Sequence, residues 1–341
     1  MLDERKCKIL QAIIDDYIST AEPVGSRSIA RKYDMGVGPA TIRNEMADLE
    51  LLGYLEQPHT SAGRIPSAKG YRFYVDCLMA HQELSDQEIN LINSWYHAKV
   101  RRLEEVFQET ARILSRLTHN VSLVIAPQIS QNTFKYMQFL PLDAQRVIMV
   151  IVTDTGYLEN KVIPIPEGIS TEELQRVAAA INDRLSGMQF DKIKASTIGD
   201  IRRDIMPDQE LFNRTLESLR QALNAGNKNR IYLGGATQVL NQPEFRDVEK
   251  AKGILNVLEE DRLLSDILEQ DSSGIIVTIG HENKFSGIHD CSVIQATYRL
   301  DGQVVGKLAV LGPTRIEYGK VMSVVDFMHK HLGEILKRYG V

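Results

Sequence analysis

Apolar residues recur at three- and four-residue steps through Ile9, Leu10, Ile13, Ile14, Tyr17 and Ile18, which predicts an amphipathic helix over 3–19 with that stripe turned inward. Pro23 and Gly25 break the chain, and Ser26 can cap a short second helix, Arg27 to Tyr33, that buries Ile29 and Tyr33. Asp34-Met35-Gly36-Val37-Gly38 reads as a tight turn. Pro39 then takes the favoured first position of a third helix, 39–52, and Gly53 the left-handed position beyond its end. Along that helix Ile42, Met46 and Leu49 form the inward stripe, so the opposite face carries Ala40, Thr41, Asn44, Ala47 and Asp48, with Arg43 on its flank. Two short helices around a glycine turn, the second exposing small and polar side chains, make a helix-turn-helix. Tyr54–Pro58 and Arg64–Pro66 read as two strands around the polar tip His59-Thr60-Ser61-Ala62-Gly63, which is a wing. Ser67 can cap a fourth helix, 68–80.

The pattern then changes. Residues 83–98 are polar and helical in character, with Trp95 as an anchor. A further helix, 99–117, buries Val100, Leu103, Val106, Phe107, Ile113, Leu114 and Leu117. Strand-like runs follow at 121–125, 133–142, 146–153 and 157–165, the last two joined by the turn Asp154-Thr155-Gly156, and a helix at 171–185 is capped by Ser170 or Thr171. Up to about Asn224 this can close into a self-contained α+β module. The tail resumes with a strand at 230–233, helices near 248–258 and 262–269, strands at 274–279, 291–300 and 304–311, and a closing helix, 318–338, burying Val321, Val324, Val325, Met328, Leu332, Ile335 and Leu336. Asp301-Gly302 is the hairpin turn between the last two strands.

Composition narrows the function. The 341 residues carry a net charge of −5, which argues against bulk attraction to a polyanion and confines any such site to a local patch. That patch exists: between Pro23 and Asn44, Arg27, Arg31, Lys32 and Arg43 face one acid, Asp34, and between Gln57 and Val75, Arg64, Lys69 and Arg72 face none. Alanines at 40 and 47 let a helix approach a groove floor, while Thr41, Arg43 and Asn44 offer donors and acceptors to base edges. Arg27, Arg31, Arg64, Lys69 and Arg72 suit phosphates, and the acid-free tip His59-Thr60-Ser61 suits a backbone or a minor groove.

Three motif runs carry a resemblance. Pro23-Val24-Gly25-Ser26-Arg27, the segment Ala40-Thr41-Ile42-Arg43-Asn44-Glu45-Met46-Ala47-Asp48-Leu49-Glu50, and Gln57-Pro58-His59-Thr60-Ser61-Ala62-Gly63-Arg64-Ile65-Pro66 closely resemble the HrcA family of bacterial heat-inducible transcription repressors. Ile279-Gly280-His281-Glu282-Asn283 and Gly312-Pro313-Thr314-Arg315-Ile316-Glu317-Tyr318 are similar to that family's carboxyl-terminal signature, so the likeness spans nearly the whole chain. Gly38 departs from it, since family members often place serine there as the cap of the third helix; a glycine cap costs only a few tenths of a kcal/mol. The resemblance implies an α+β multidomain protein. It has an N-terminal winged helix-turn-helix (1–80), a helical linker (81–98), a GAF-like domain (99–129 and 226–341) and an inserted α+β dimerisation domain (130–225). It also implies a homodimer on an inverted-repeat operator of chaperone genes, with the chaperonin as a second partner that keeps the repressor competent until damaged proteins occupy it.

Other chemistry is thin. No His-Glu-x-x-His, Cys-x-x-Cys, Walker loop or nucleophile elbow occurs, so neither an enzyme nor a cofactor is expected. His281 and Glu282 with His289, Asp290 and Cys291 match no familiar metal spacing, and strand–turn placement explains them; His329 and His331, two apart on a helix, are expected to face solvent. The longest apolar run, Val147–Val152, is far too short to span a bilayer, no apolar export core opens the chain, and three dispersed cysteines make no disulfide framework. The expected place is the cytoplasm, with no membrane partner. A metabolite-responsive regulator using its GAF-like part is the alternative reading.

Overall fold

In the computed structural model, which describes residues 2–58, 63–80, 82–99, 103–126, 133–143, 145–153, 158–165, 170–189, 192–193, 230–268, 274–300 and 303–338, Asp3 caps the first helix by accepting from the Lys6 amide at 2.8 Å. That helix, α1 (Glu4–Thr20), buries Ile9, Leu10, Ile13 and Ile14 as its periodicity requires. Next come α2 (Ser26–Lys32) and α3 (Pro39–Leu51), whose Ile29, Ile42, Met46 and Leu49 complete a small core with α1. Gly53, at φ +79°, reverses the chain after α3 at little steric cost. The wing strands β1 (Leu55–Glu56) and β2 (Ile65–Pro66) pair antiparallel, and the expected tip at 59–62 lies outside the described residues.

The fourth helix differs from expectation. Ser67 caps it as predicted, its hydroxyl accepting from the Gly70 amide at 3.0 Å. The α-helix α4 (Ala68–Phe73) then gives way to a π turn, Tyr74–Leu78, instead of running on to residue 80. Two further helices, α5 (Asp86–Lys99) and α6 (Leu103–Thr118), follow, with the Arg116 guanidinium 5.2 Å over the Trp95 ring. Val100, expected to be buried, lies outside the described residues.

By internal contacts the chain divides into two compact units, Met1–Ile125 with Ile231–Glu334, and Ala126–Arg230 with Ile335–Val341. The first holds the winged helix and a five-stranded antiparallel sheet built from β3 (Val121–Ile125), β7 (Ile231–Gly234), β8 (Ile275–Ile279), β9 (Cys291–Leu300) and β10 (Gln303–Pro313). The strands lie in the order β7-β3-β10-β9-β8, which by their sequence within this sheet is 2-1-5-4-3, a GAF-like order. Val121, Leu123, Val293 and Ala309 pack one face against Ile254 and Val257 of α8 (Val248–Glu259) and Leu264 of α9 (Asp261–Ile267). Because side chains alternate along a strand, Ser122, Val124, Ile294 and Val310 turn to the other face, where α6 lies on β3 and β7. The sequence reading missed two 3₁₀ turns, Ala236–Asn241 and Pro243–Arg246, which have too few residues to show a period. The closing helix α10 (Tyr318–Arg338) buries Val321, Val324, Val325, Met328 and Leu332. His329 and His331 on it are half-buried, not solvated: His331 stacks on Phe327 with ring centroids 4.3 Å apart.

The second unit holds β4 (Phe134–Pro141), β5 (Arg146–Thr153) and β6 (Leu158–Pro164) in one antiparallel sheet. Its inner face, Phe134, Met137, Met149, Ile151 and Ile163, packs on Leu174, Ile181 and Leu185 of α7 (Thr171–Leu185). Ser170 and Glu173 form a reciprocal capping box at the start of α7, and the Asn182 side chain holds the helix to β4 through the Met137 amide (2.7 Å) and carbonyl (3.0 Å). The expected turns at 154–156 and 301–302 lie outside the described residues.

Tyr71 of α4 is fully buried, and its hydroxyl has no hydrogen-bond partner among the described residues. An unpaired buried hydroxyl costs free energy that the ring's packing must offset. The Tyr71→Phe variant is therefore expected to be about 1 kcal/mol more stable in chemical denaturation. A destabilised variant would mean that the hydroxyl has a partner in solution.

Candidate nucleic-acid interface

Residues of α3 sort as its stripe dictates. Ile42, Met46 and Leu49 face the core, Ala40, Arg43, Asn44, Ala47 and Asp48 are exposed, and Thr41 is half-buried. The helix starts at Gly38 with no side-chain cap, leaving its first amides directed outward, where they favour an anion. Its acids are neutralised from behind. Lys6 of α1 reaches Glu45 at 2.7 Å and Asp48 at 3.3 Å, and Arg5 lies 3.4 Å from Glu45. These pairs draw acidic charge to the α1 side and leave the side bearing Arg43 and Asn44 poor in acid. Sequence reasoning missed Lys6 and Arg5 in this role, because their partners lie some forty positions away.

Arg27 and Arg31 of α2 are exposed and make no ion pair with a described residue; the same holds for Arg43. Lys32, beside them, is committed to the buried Asp16 of α1, and this pairing raises the lysine pKa above its ordinary value. Thus α2 presents two free cations and spends the third on holding itself to α1.

The wing root is built on backbone contacts. Val24 and Arg64 form an isolated antiparallel bridge whose two hydrogen bonds are each 2.9 Å. Gly63 lies so close to Val24 that a Cβ there would sit 2.5 Å from the valine carbonyl carbon and 2.8 Å from its nitrogen.

Three cations assigned to phosphates from sequence are otherwise engaged. Arg64 donates through Nε to Glu50 of α3 at 2.7 Å and is mostly covered. Lys69 donates to the Leu52 carbonyl at 2.8 Å, with its ammonium 4.5 Å over the Tyr54 ring, yet stays exposed. Arg72 turns away from α3: its guanidinium donates to Glu282 through Nε at 2.9 Å and to the Val277 carbonyl at 2.6 Å. Burial pushes the Glu282 carboxyl up, but hydrogen bonds from Arg72 and from the Ile279 amide outweigh it and hold the pKa below the usual glutamate value. Physical proximity in sequence placed these cations near the wing; only the fold shows which way each reaches. His59, Thr60 and Ser61 lie outside the described residues.

The histidine and acid run at 281–291 disperses. His281 and His289 touch, ring centroids 4.4 Å apart, while Glu282 goes to Arg72, Asp290 pairs with Lys250 at 2.8 Å, and Cys291 is buried in the sheet core. Burial pushes that thiol up to about 12, so it is inert at neutral pH. Among the described residues no three His, Cys, Asp or Glu side chains are placed to hold a metal, and no helix is long and apolar enough to cross a membrane.

Comparison with known proteins agrees with the fold at both ends of the chain. Residues 1–76 match the family described as winged helix-turn-helix transcription repressor, HrcA DNA-binding, and residues 104–322 match the HrcA protein C terminal domain. The chain is 46% identical to a heat-inducible transcription repressor HrcA of Pelotomaculum thermopropionicum over 99% of this chain and 97% of that one. It is 45% identical to the protein of that name from Symbiobacterium thermophilum (98% and 99% covered) and 44% to that of Desulfitobacterium hafniense (98% of each). A crystal structure of a hypothetical protein shares the fold, with a TM-score of 0.67 at 22% identity, covering 99% of this chain and all of that one.

Proposed function

Because the chain belongs to the HrcA family of heat-inducible transcription repressors, whose winged helix binds DNA, we propose that it represses chaperone operons in the cytoplasm by gripping an inverted-repeat operator as a homodimer. The observation that carries this reading is the outward face of α3, small and polar, with its acids tied back to α1. Such a helix fits the major groove, where Thr41, Arg43 and Asn44 meet base edges. Arg27 and Arg31 set its register on phosphates, with exposed Lys69 at the rim, and His59, Thr60 and Ser61 of the wing tip follow the adjoining backbone or minor groove. Arg64 and Arg72, engaged elsewhere, act through the wing root and α4.

The sheet of the second unit supports the dimer. Across its outer face Leu140, Ile148 and Val162 stand in one cross-strand row, with Leu140 and Val162 exposed. A second copy is the occupant that fits, since a self-complementary patch closes a two-fold and an inverted repeat has the same symmetry. The chaperonin enters as a regulator of the repressor's folded fraction: a marginally stable chain loses its DNA-binding form when the chaperonin is occupied.

A footprint on the DNA upstream of the chain's own gene defines the operator. On that duplex Asn44→Ala is expected to cost about 1 to 3 kcal/mol by fluorescence anisotropy, and little on random DNA. Equal loss on both sequences would reject base reading by Asn44.

A further inference from the structure

Each of the two carboxyl-terminal motifs sends side chains to the winged helix. In Ile279–Asn283, Glu282 takes the Arg72 guanidinium of α4. The turn carrying it is locked from within: Glu282 accepts from the Ile279 amide at 2.8 Å, and buried Asn283 donates to the Gly280 and Cys291 carbonyls at 2.9 and 2.8 Å. In Gly312–Tyr318, Arg315 donates to the Ile18 carbonyl of α1 at 3.0 Å while paired with Glu244, and buried Tyr318 meets Tyr71 and Tyr74 with ring centroids 5.8 and 6.5 Å away. The polar side chains of these motifs are thus engaged with the winged helix and with their own turn. We propose that they are the seat of the winged helix and that Arg72, acting through it, is a positioning residue that holds the two α3 helices of a dimer at one operator spacing; this rests on the operator reading above.

Two facts separate this role from phosphate binding. Arg72 spends its Nε and both Nη groups on Glu282, Val277 and Asp76, all within the same compact unit. Its neighbour Tyr71 is fully buried, so α4 cannot swing to free the guanidinium without exposing that ring. A reader seated firmly on its own unit moves only as that unit moves, whereas a reader on a loose joint adds a freedom of its own and tolerates more spacings.

The test uses the full-length protein and a series of duplexes bearing the footprinted half-site as an inverted repeat, with the central spacer varied one base pair at a time. Wild type should prefer one spacing by about tenfold or more. Glu282→Gln keeps the size of the side chain and removes the charge. It is expected to lose about tenfold at that spacing and to flatten the profile to within about threefold, and the swapped pair Arg72→Glu with Glu282→Arg should recover part of the preference. Without DNA, hydrogen exchange of α4 should quicken in Glu282→Gln while α3 keeps its protection, showing a loosened seat in a folded reader. A peaked profile unchanged in Glu282→Gln overturns the positioning role alone. Tighter binding by Glu282→Gln at every spacing overturns it too, since that is what freeing a phosphate-binding arginine would do. A flat wild-type profile overturns the operator reading and the spacing role together.

Discussion

The Val162→Asp variant is expected to bind a full inverted repeat about 10²–10⁴-fold more weakly than wild type while binding an isolated half-site equally well. Val162 sits on β6, directly across from Ile148, which in turn faces Leu140 on β4. The valine is half exposed, so a carboxylate there stays hydrated in the monomer, and the sheet's inner core is untouched. At the centre of an apolar contact between copies the same carboxylate would be buried without a partner, which costs several kcal/mol and is doubled by symmetry. Two readers joined by a dimer bind their half-sites with a high effective concentration, and separated readers lose it. Sedimentation should show the variant as a monomer. A dimeric Val162→Asp protein with unchanged affinity would place the interface elsewhere.

The Gly63→Ala variant should lose about 3 kcal/mol of stability and release the wing. The added Cβ would meet the backbone of Val24, and backbone atoms cannot rotate aside as a flexible side chain can. The chain would relieve the clash by opening the Val24–Arg64 bridge, which withdraws two backbone hydrogen bonds and pulls Arg64 from Glu50. Gly38→Ser is the contrasting control. A Cβ at Gly38 meets nothing within 4 Å, and serine at a helix start can cap α3, so this variant should be as stable as wild type or slightly more so. Chemical denaturation and operator anisotropy on both variants check the pair of expectations. Equal behaviour of the two glycine variants would contradict the close approach at Gly63.

Much of the reader was legible because its signals are local. The stripe Ile42, Met46, Leu49 appears in the order of residues and again in burial, and Pro39, Gly53 and Ser67 mark the ends of helices as they do in sequence. The exposed set at Ala40, Arg43, Asn44 and Ala47 follows by geometry once that stripe is known. Alternation likewise shows in β5, where Val147, Met149 and Ile151 are buried and the residues between them less so.

What the sequence could not reveal was the direction in which its long cations reach. Arg64, Lys69 and Arg72 share an acid-free stretch, yet one goes to Glu50, one to a carbonyl and a ring, and one to an acid 210 positions further along the chain. Periodicity is set by the backbone and repeats every few residues, so the order of amino acids by itself determined the helices, the wing strands and the exposed face of α3. Salt bridges and close backbone approaches between distant segments depend on which parts of the chain the fold brings together, and only the folded structure decided that Glu282 meets Arg72 and Arg315 the Ile18 carbonyl.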